Sequence, residues 1–346
     1  MELWVELAAM ADISQPTLKA FCLDWHIDRS TAARDLLVDP LKPYCDVELV
    51  AWDGNSLSGH TFDASSPVIF FQLPPPRELV EDASAKIVWI PMWDQARGYD
   101  QTWWNDQPKG LRVVAFSSQI AARARAAGLQ LLNLRYFPDP DEFRPVTWDE
   151  GVVLFYWNRT GMAGPKLLRK LCKATDAREL IYRAEIDPRI DARMHYELPA
   201  RLGRTKVTTF SAESQDEYLQ ATNAANVFLA PRLVEGVGLT FLEAMARGGA
   251  VIAYDAPTMN EYIRDGENGI LLAPEEVDQT PTRASRIRSS LFADRSPYLL
   301  SHRQDWALVQ ATDLRSIGNQ ARADCEVGQL KWREDIPSFA SFVSDW

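Results

Sequence analysis

Residues 227–272 read VFLAPRLVEGVGLTFLEAMARGGAVIAYDAPTMNEYIRDGENGILL, and the order of apolar runs and glycines within them decides the fold. Val227 to Ala230 is an apolar run short enough for a buried strand. Pro231 to Val237 is a loop. From Gly238 to Arg247 the spacing is helical, with Leu239, Leu242, Met245 and Ala246 on one face, and Gly248-Gly249 ends that helix. Ala250 to Tyr254 is a second buried strand, and Met259 to Arg264 a second short helix closed by Gly266. Strand, loop, helix and strand in that order make a parallel unit whose working loop lies at the carboxyl end of a strand.

A loop of small residues entering a helix points backbone N–H groups outward, which suits a phosphate. Gly236 and Gly238 allow close backbone approach. Glu235 and Glu243 flank this anion site. Carboxylates repel phosphate, so they accept more readily from hydroxyls. A ligand with a central diphosphate and hydroxyls at both ends fits, and a nucleotide sugar has that layout. The plain alternative for Glu243 is an exposed ion pair with Arg247, four residues on, worth tenths of a kcal/mol.

The run from Glu235-Gly-Val-Gly-Leu-Thr-Phe-Leu-Glu243 through Ala253, with Glu261 and Gly266-Glu-Asn-Gly269 following, resembles the donor-binding segment of glycosyltransferase family 4. The family's E-x7-E pattern falls on Glu235 and Glu243. The resemblance implies retaining chemistry and the GT-B fold: α/β, two Rossmann-like doubly wound parallel-sheet domains facing a cleft, with a C-terminal helix crossing back to the first domain. It further implies that Glu243 accepts from the ribose hydroxyls, that Glu235 lies against the donor sugar, and that the backbone of Gly236, Val237, Gly238, Leu239 and Thr240 holds the diphosphate.

The chain has 346 residues, 46% of them hydrophobic and 25% charged, a composition that suits two soluble domains. No apolar run approaches the ~20 residues of a spanning helix, and Met1 to Met10 makes a poor secretory signal. Four scattered cysteines form no C-x-x-C pair, which points to reduced, buried thiols and a cytoplasmic protein. Net charge is −11, and residues 1–150 carry 22 acidic against 13 basic side chains. That balance argues against nucleic acid and against simple electrostatic adhesion to anionic lipid, while leaving room for a local patch and a peripheral contact at the inner face of the membrane.

In the first half, strands are expected at 18–25, 47–52, 67–73, 86–91, 111–117 and 129–137. Helices are expected from an N-cap at Ser30 to Lys42 and over 118–128. Val-, Ile- and Leu-rich strands alternating with helices indicate a parallel sheet covered on both faces. Pro138 to Pro145 reads as the joint, dividing an N-terminal domain, 1–145, from a C-terminal one, 146–329, with 330–346 packing back on the first. Asp139 and Asp141 form a D-x-D, but in a linker this is no metal signal; the expectation is no metal and no cofactor, only a nucleotide sugar as co-substrate.

The second domain opens with a strand over 152–156. Arg159 and Lys166 bracket the following loop, and Pro165 suits a first helical turn. Two cations at a loop–helix junction suit a diphosphate; family 4 places an Arg and a Lys here, although with a different spacing. Further strands are expected at 178–184 and 207–210, and Ser214 with Glu217 forms a capping box for a helix to Ala225. From Arg283 the tail reads as irregular polar and helical segments.

On the acceptor side the family has His-Asp after the fourth strand, and this chain has Trp93-Asp94. Asp94 orients acceptor or donor sugar, or else is a helix N-cap or turn aspartate. Eight of the twelve tryptophans fall in residues 1–150. Trp93, or one of the Trp103-Trp104 pair in what reads as a polar loop, would stack on a sugar, with ordinary packing as the alternative. His26, after the first strand, either faces the cleft or is a hydrogen-bonded structural histidine. The resemblance thus implies a retaining hexosyltransferase moving sugar from a UDP- or GDP-sugar to a saccharide or glycolipid hydroxyl in bacterial surface polysaccharide synthesis. An inactive GT-B binding or assembly subunit and a nucleotide-sugar epimerase are the alternatives.

Overall fold

The structure, a computed structural model, describes residues 17–28, 31–55, 57, 66–82, 85–159, 163–185, 195–211, 214–230, 232–272, 309–310 and 312–345. The expected N-cap Ser30, the residues before Thr17 and the start of the tail at Arg283 lie outside these. The chain divides into two compact units, 1–136 with 331–346, and 137–330.

Unit 1 holds a six-stranded sheet: β1 Thr17–Cys22, β2 Asp46–Ala51, β3 Val68–Gln72, β4 Ile87–Pro91, β5 Arg112–Ala115 and β6 Gln130–Asn133. The order is β2-β1-β3-β4-β5-β6, and every pairing is parallel. Sequence explains the order. VIFFQ of β3 and IVWIP of β4 are buried along their whole length, as strands covered on both faces must be. DVELVA of β2 and QLLN of β6 are partly exposed and mark the edges. Phe21, Trp52 and Phe70 form an aromatic wedge in the core, with Phe21 and Phe70 stacked at 5.3 Å.

Three expectations change here. The strand foreseen over 129–137 stops at Asn133, because its partner β5 ends at Ala115, the residue opposite it, and leaves no further ladder to pair with. The helix foreseen to Lys42 contains a π-helical turn, Arg34–Val38, running into Asp39–Leu41; Pro40 at the junction has no N–H for the carbonyl four residues back. Trp103 and Trp104 lie on a helix, Gln101–Asn105, whose N-cap Asp100 accepts from the Trp103 amide at 2.9 Å.

Unit 2 holds β7 Val153–Trp157, β8 Glu179–Arg183, β9 Arg201–Leu202, β10 Thr205–Phe210, β11 Val227–Leu229, β12 Ala250–Tyr254 and β13 Ile270–Leu272. Their order is β13-β12-β11-β7-β8-β10-β9. Only β9, a short strand absent from the sequence reading, is antiparallel. Helices Pro165–Ala174, Gln215–Asn223 and Leu239–Ala246 connect the parallel strands. The capping box of Ser214 and Glu217 forms on both sides.

By its contacts the proline-rich joint groups with unit 2, which begins at residue 137. The Phe137 ring meets Tyr262 at 5.1 Å, and the Pro140 carbonyl accepts from Arg322 at 3.2 Å. Asp139 accepts from the Asp141 amide at 3.1 Å and Asp141 pairs with Arg322 at 3.5 Å. The D-x-D thus caps a 3-10 turn, Pro140–Glu142.

The tail past residue 312 is one long helix, Leu314–Ser344. Ile317, Ala321 and Cys325, spaced four apart, are buried in unit 2, and Trp332, Phe339 and Val343 in unit 1. Trp332 packs on Phe116 and Tyr136, and Arg112 donates to the Phe342 carbonyl at 2.8 Å. All four cysteines are unpaired and buried; burial pushes the Cys22, Cys45 and Cys172 thiols up to about 11 and Cys325 to about 12. No helix among the described residues is long and apolar enough to cross a membrane.

Candidate functional site

In unit 2 the strand order reverses between β7 and β11. These neighbours pair in parallel, Leu229 opposite Tyr156, and their following loops leave from the same edge. Open α/β sheets bind ligands in the crevice at such a point. The sequence puts Asn158 and Arg159 after β7, and Arg232 to Gly238 after β11.

The second loop turns into the Leu239–Ala246 helix through Gly238 at φ +87°, ψ +48°. Only glycine fits there: a Cβ would lie 2.0 Å from Cε1 of Phe241. The helix face is apolar, with Phe241, Leu242, Met245 and Ala246 buried. The amides of Leu239 and Thr240 fall in the first turn, where helix geometry offers no acceptor. Glu235 is buried before the turn, with Arg232 Nη1 3.5 Å from its carboxylate. Its carbonyl accepts from Thr258 Oγ1 at 2.9 Å. Gly236, Val237 and Gly238 are buried, while Leu239, Thr240 and Glu243 are half-buried.

Arg247 is not the exposed partner of a helix-surface pair. It is buried, donates to Asn223 Oδ1 and covers the Phe143 ring at 5.0 Å. Burial lowers its pKa, and the nearby Glu243 and Tyr218 oppose that shift. Tyr218, unnoticed in the sequence, packs against Phe155 and Trp157. Burial raises its pKa, and the Glu243 charge adds to the shift.

After β7, Asn158 is wholly buried and holds the loop: its Nδ2 donates to Tyr182 Oη at 2.9 Å, and its Oδ1 accepts from Tyr156 Oη at 3.3 Å. Tyr156 Oη in turn accepts from the Ala163 amide at 3.1 Å. Arg159 lies over Trp157 at 4.7 Å, and Lys166 is exposed in the first turn of the helix that Pro165 opens. Arg159 and Lys166 therefore both flank the loop at the strand edge beside β11. Further along, Asn268, fully buried, accepts from the Arg264 amide at 2.6 Å and donates to Asp324 at 2.6 Å, fixing the 266–269 turn.

In unit 1 the order reverses between β1 and β3. There His26 and Gln72 are both buried and bond at 2.7 Å, Nε2 to Oε1. Of the two readings of His26, the hydrogen-bonded one describes it; its Nδ1 is buried without a hydrogen-bond partner. Asp94 lies in the first turn of the helix Trp93–Ala96 whose N-cap is Met92, so it is not itself the cap. Its charge reaches His26. Trp93 is buried beneath the Arg123 guanidinium at 4.9 Å. Trp104 is fully buried and stacks on Trp89 at 5.0 Å; it belongs to the core. Trp103 is half-buried and stacks on Tyr99 at 4.2 Å. Among the described residues no group of three or more acidic, His or Cys side chains could hold a metal ion.

Two parallel doubly wound sheets, each with its own switch point, define the GT-B class of fold. Sucrose-phosphate synthase from Thermosynechococcus elongatus shares it at a TM-score of 0.60 and 13% identity, over 94% of this chain and 98% of that one. Anabaena HepE, solved with UDP and glucose, does so at 0.55 and 15%, over 94% and 100%. Residues 190–287 match the family model described as glycosyl transferases group 1. A stretch of 102 residues is 31% identical to the phosphatidyl-myo-inositol mannosyltransferase of Mycolicibacterium smegmatis, covering 28% of this chain and 26% of that protein. The chain thus matches about a quarter of that curated relative's length.

Proposed function

We propose that this chain is a retaining glycosyltransferase of family 4 that moves a sugar from a nucleotide-diphosphate sugar, carried on UDP or GDP, to a saccharide or glycolipid hydroxyl. The observation that carries the reading is the β11 loop: a left-handed glycine starts a helix at the switch point, with one carboxylate buried before it and a second on its flank. The E-x7-E reading of Glu235 and Glu243 rests on this placement.

The diphosphate meets the amides of Val237 to Thr240, and Arg159 and Lys166 add positive charge as the leaving group develops its own. Glu243 accepts from the ribose hydroxyls and Glu235 holds the donor sugar. In unit 1, Asp94 orients the acceptor hydroxyl, with Trp103 offering a ring to a sugar face. No protein base is assigned; the donor phosphate takes the acceptor proton. No metal or cofactor enters this scheme. The reaction belongs to the cytoplasm, with peripheral contact at the inner face of the membrane for a lipid-linked acceptor, and serves surface polysaccharide synthesis.

Thermal shift against UDP, GDP and ADP sugars identifies the donor. With that donor's nucleoside diphosphate, Glu243→Ala weakens binding about tenfold, ~1.4 kcal/mol, while the protein stays folded. Equal affinity by calorimetry would remove the ribose role. Transfer assays with the same panel separate a working enzyme from an inactive binding subunit.

A further inference from the structure

Thr258 has φ +83° and ψ −60° and is fully buried. This is the γ-turn region, rare and strained, and for a β-branched side chain it is a marked outlier. Three non-glycine residues among those described have positive φ. Asp176 follows the end of the Pro165–Ala174 helix, where a left-handed residue is ordinary. Gln72 holds His26. Thr258 has the position of an N-cap, before the helix Met259–Tyr262, yet its side chain makes no cap bond.

A threonine that caps has extended φ and ψ, and its oxygen accepts from the helix amides. Thr258 forgoes that bond. Its Oγ1 instead donates to the carbonyl of Glu235 at 2.9 Å, entirely out of solvent. That one contact ties the turn after β12 to the loop after β11, immediately before the Gly236–Gly238 turn. A strained backbone persists where the surroundings over-determine it, and such places cluster at functional sites.

We propose that Thr258 is a positioning residue for Glu235. Its backbone stays in an unfavourable conformation because only from there does the hydroxyl fix the peptide that aims the Glu235 carboxylate. This deepens the donor-site reading and rests on it for the ligand: Thr258 governs how the site tells a nucleotide sugar from the bare nucleoside diphosphate.

The test begins without ligand. Thr258→Val keeps the shape and removes the hydroxyl. Amide exchange at Glu235 and Gly236 should accelerate about fivefold, the loss expected for one neutral hydrogen bond. Exchange in β12 should stay as it is, and Thr258→Ser should restore the slow rate. Thr258→Gly relieves the backbone and also lacks the hydroxyl, so it serves if the valine variant does not fold; it should show the same fast loop. Wild-type exchange rates in a hydroxyl-free variant would overturn the proposal. In a second arm, affinities for UDP, UDP-glucose, GDP and GDP-mannose are measured by calorimetry. Thr258→Val should lose about fivefold for the nucleotide sugar that binds and nothing for its diphosphate. If no nucleotide binds the wild type while the loop still quickens, the donor reading falls and the hold of Thr258 on Glu235 stands. Equal losses for sugar and diphosphate would overturn the discriminating role.

Discussion

Replacing Gly238 by alanine tests the heart of the unit 2 site. The residue is at φ +87°, where a side chain costs ~1–2 kcal/mol of backbone energy. The new Cβ would also lie 2.0, 2.6 and 2.9 Å from three atoms of the Phe241 ring. That ring is buried and packs edge-on to Tyr262 at 5.8 Å, so it cannot swing into open space. Overpacking of this kind costs a further ~1–3 kcal/mol. The sum, ~2–5 kcal/mol, is a large part of a domain's usual stability. Urea unfolding with linear extrapolation measures it. The two costs separate in a Phe241→Leu background, where the ring is gone: there the alanine should cost only its backbone share, giving a coupling of ~1–3 kcal/mol. Nucleotide binding should fail in both backgrounds, because the turn that presents the amides has changed. An alanine variant within ~0.5 kcal/mol of wild type, or an equal cost in both backgrounds, would refute the close-approach account.

The neighbouring tryptophans should separate sharply. Trp104→Ala empties a fully buried site and should cost ~3–5 kcal/mol, whereas Trp103→Ala removes a half-buried ring and should cost clearly less in the same urea titration; equal losses would contradict the packing. His26 should make stability fall with acid. Burial lowers its pKa below the usual 6.5, outweighing the raising pulls of Gln72 and Asp94. Below pH ~6.5 the unfolded chain therefore binds the proton first, and stability drops as pH falls towards the folded value. His26→Gln should flatten that decline between pH 7.5 and 5.5, and an identical slope would exclude the histidine as its source.

Much of unit 2 was legible because its signals are local. An apolar run, a glycine before a helical face and a glycine pair after it place β11, the helix and β12 within a residue or two. Ser214 with Glu217, and Pro165 at a first turn, work the same way. What escaped depends on distant contacts. Tyr218, Asn158 and Thr258 gain meaning only from partners on other elements, and no spacing announces a threonine at positive φ. Trp104 reads as a loop residue because QTWWND is polar around it; its burial comes from Trp89 on β4. The contacts of the joint were hidden for a related reason. Prolines mark a break in regular structure, but what the segment packs on depends on Tyr262 and Arg322, far along the chain.

The helix Leu314–Ser344 lends its first part to unit 2 and residues from Lys331 onward to unit 1. Phe116 and Tyr136 lack their cover until Trp332 arrives. During synthesis, then, the amino-terminal body emerges first yet stays unfinished until the second is almost wholly made. A fragment cut after residue 136 would expose that apolar seam and aggregate, whereas the same fragment supplied with a peptide of residues 331–345 would regain a closed interior.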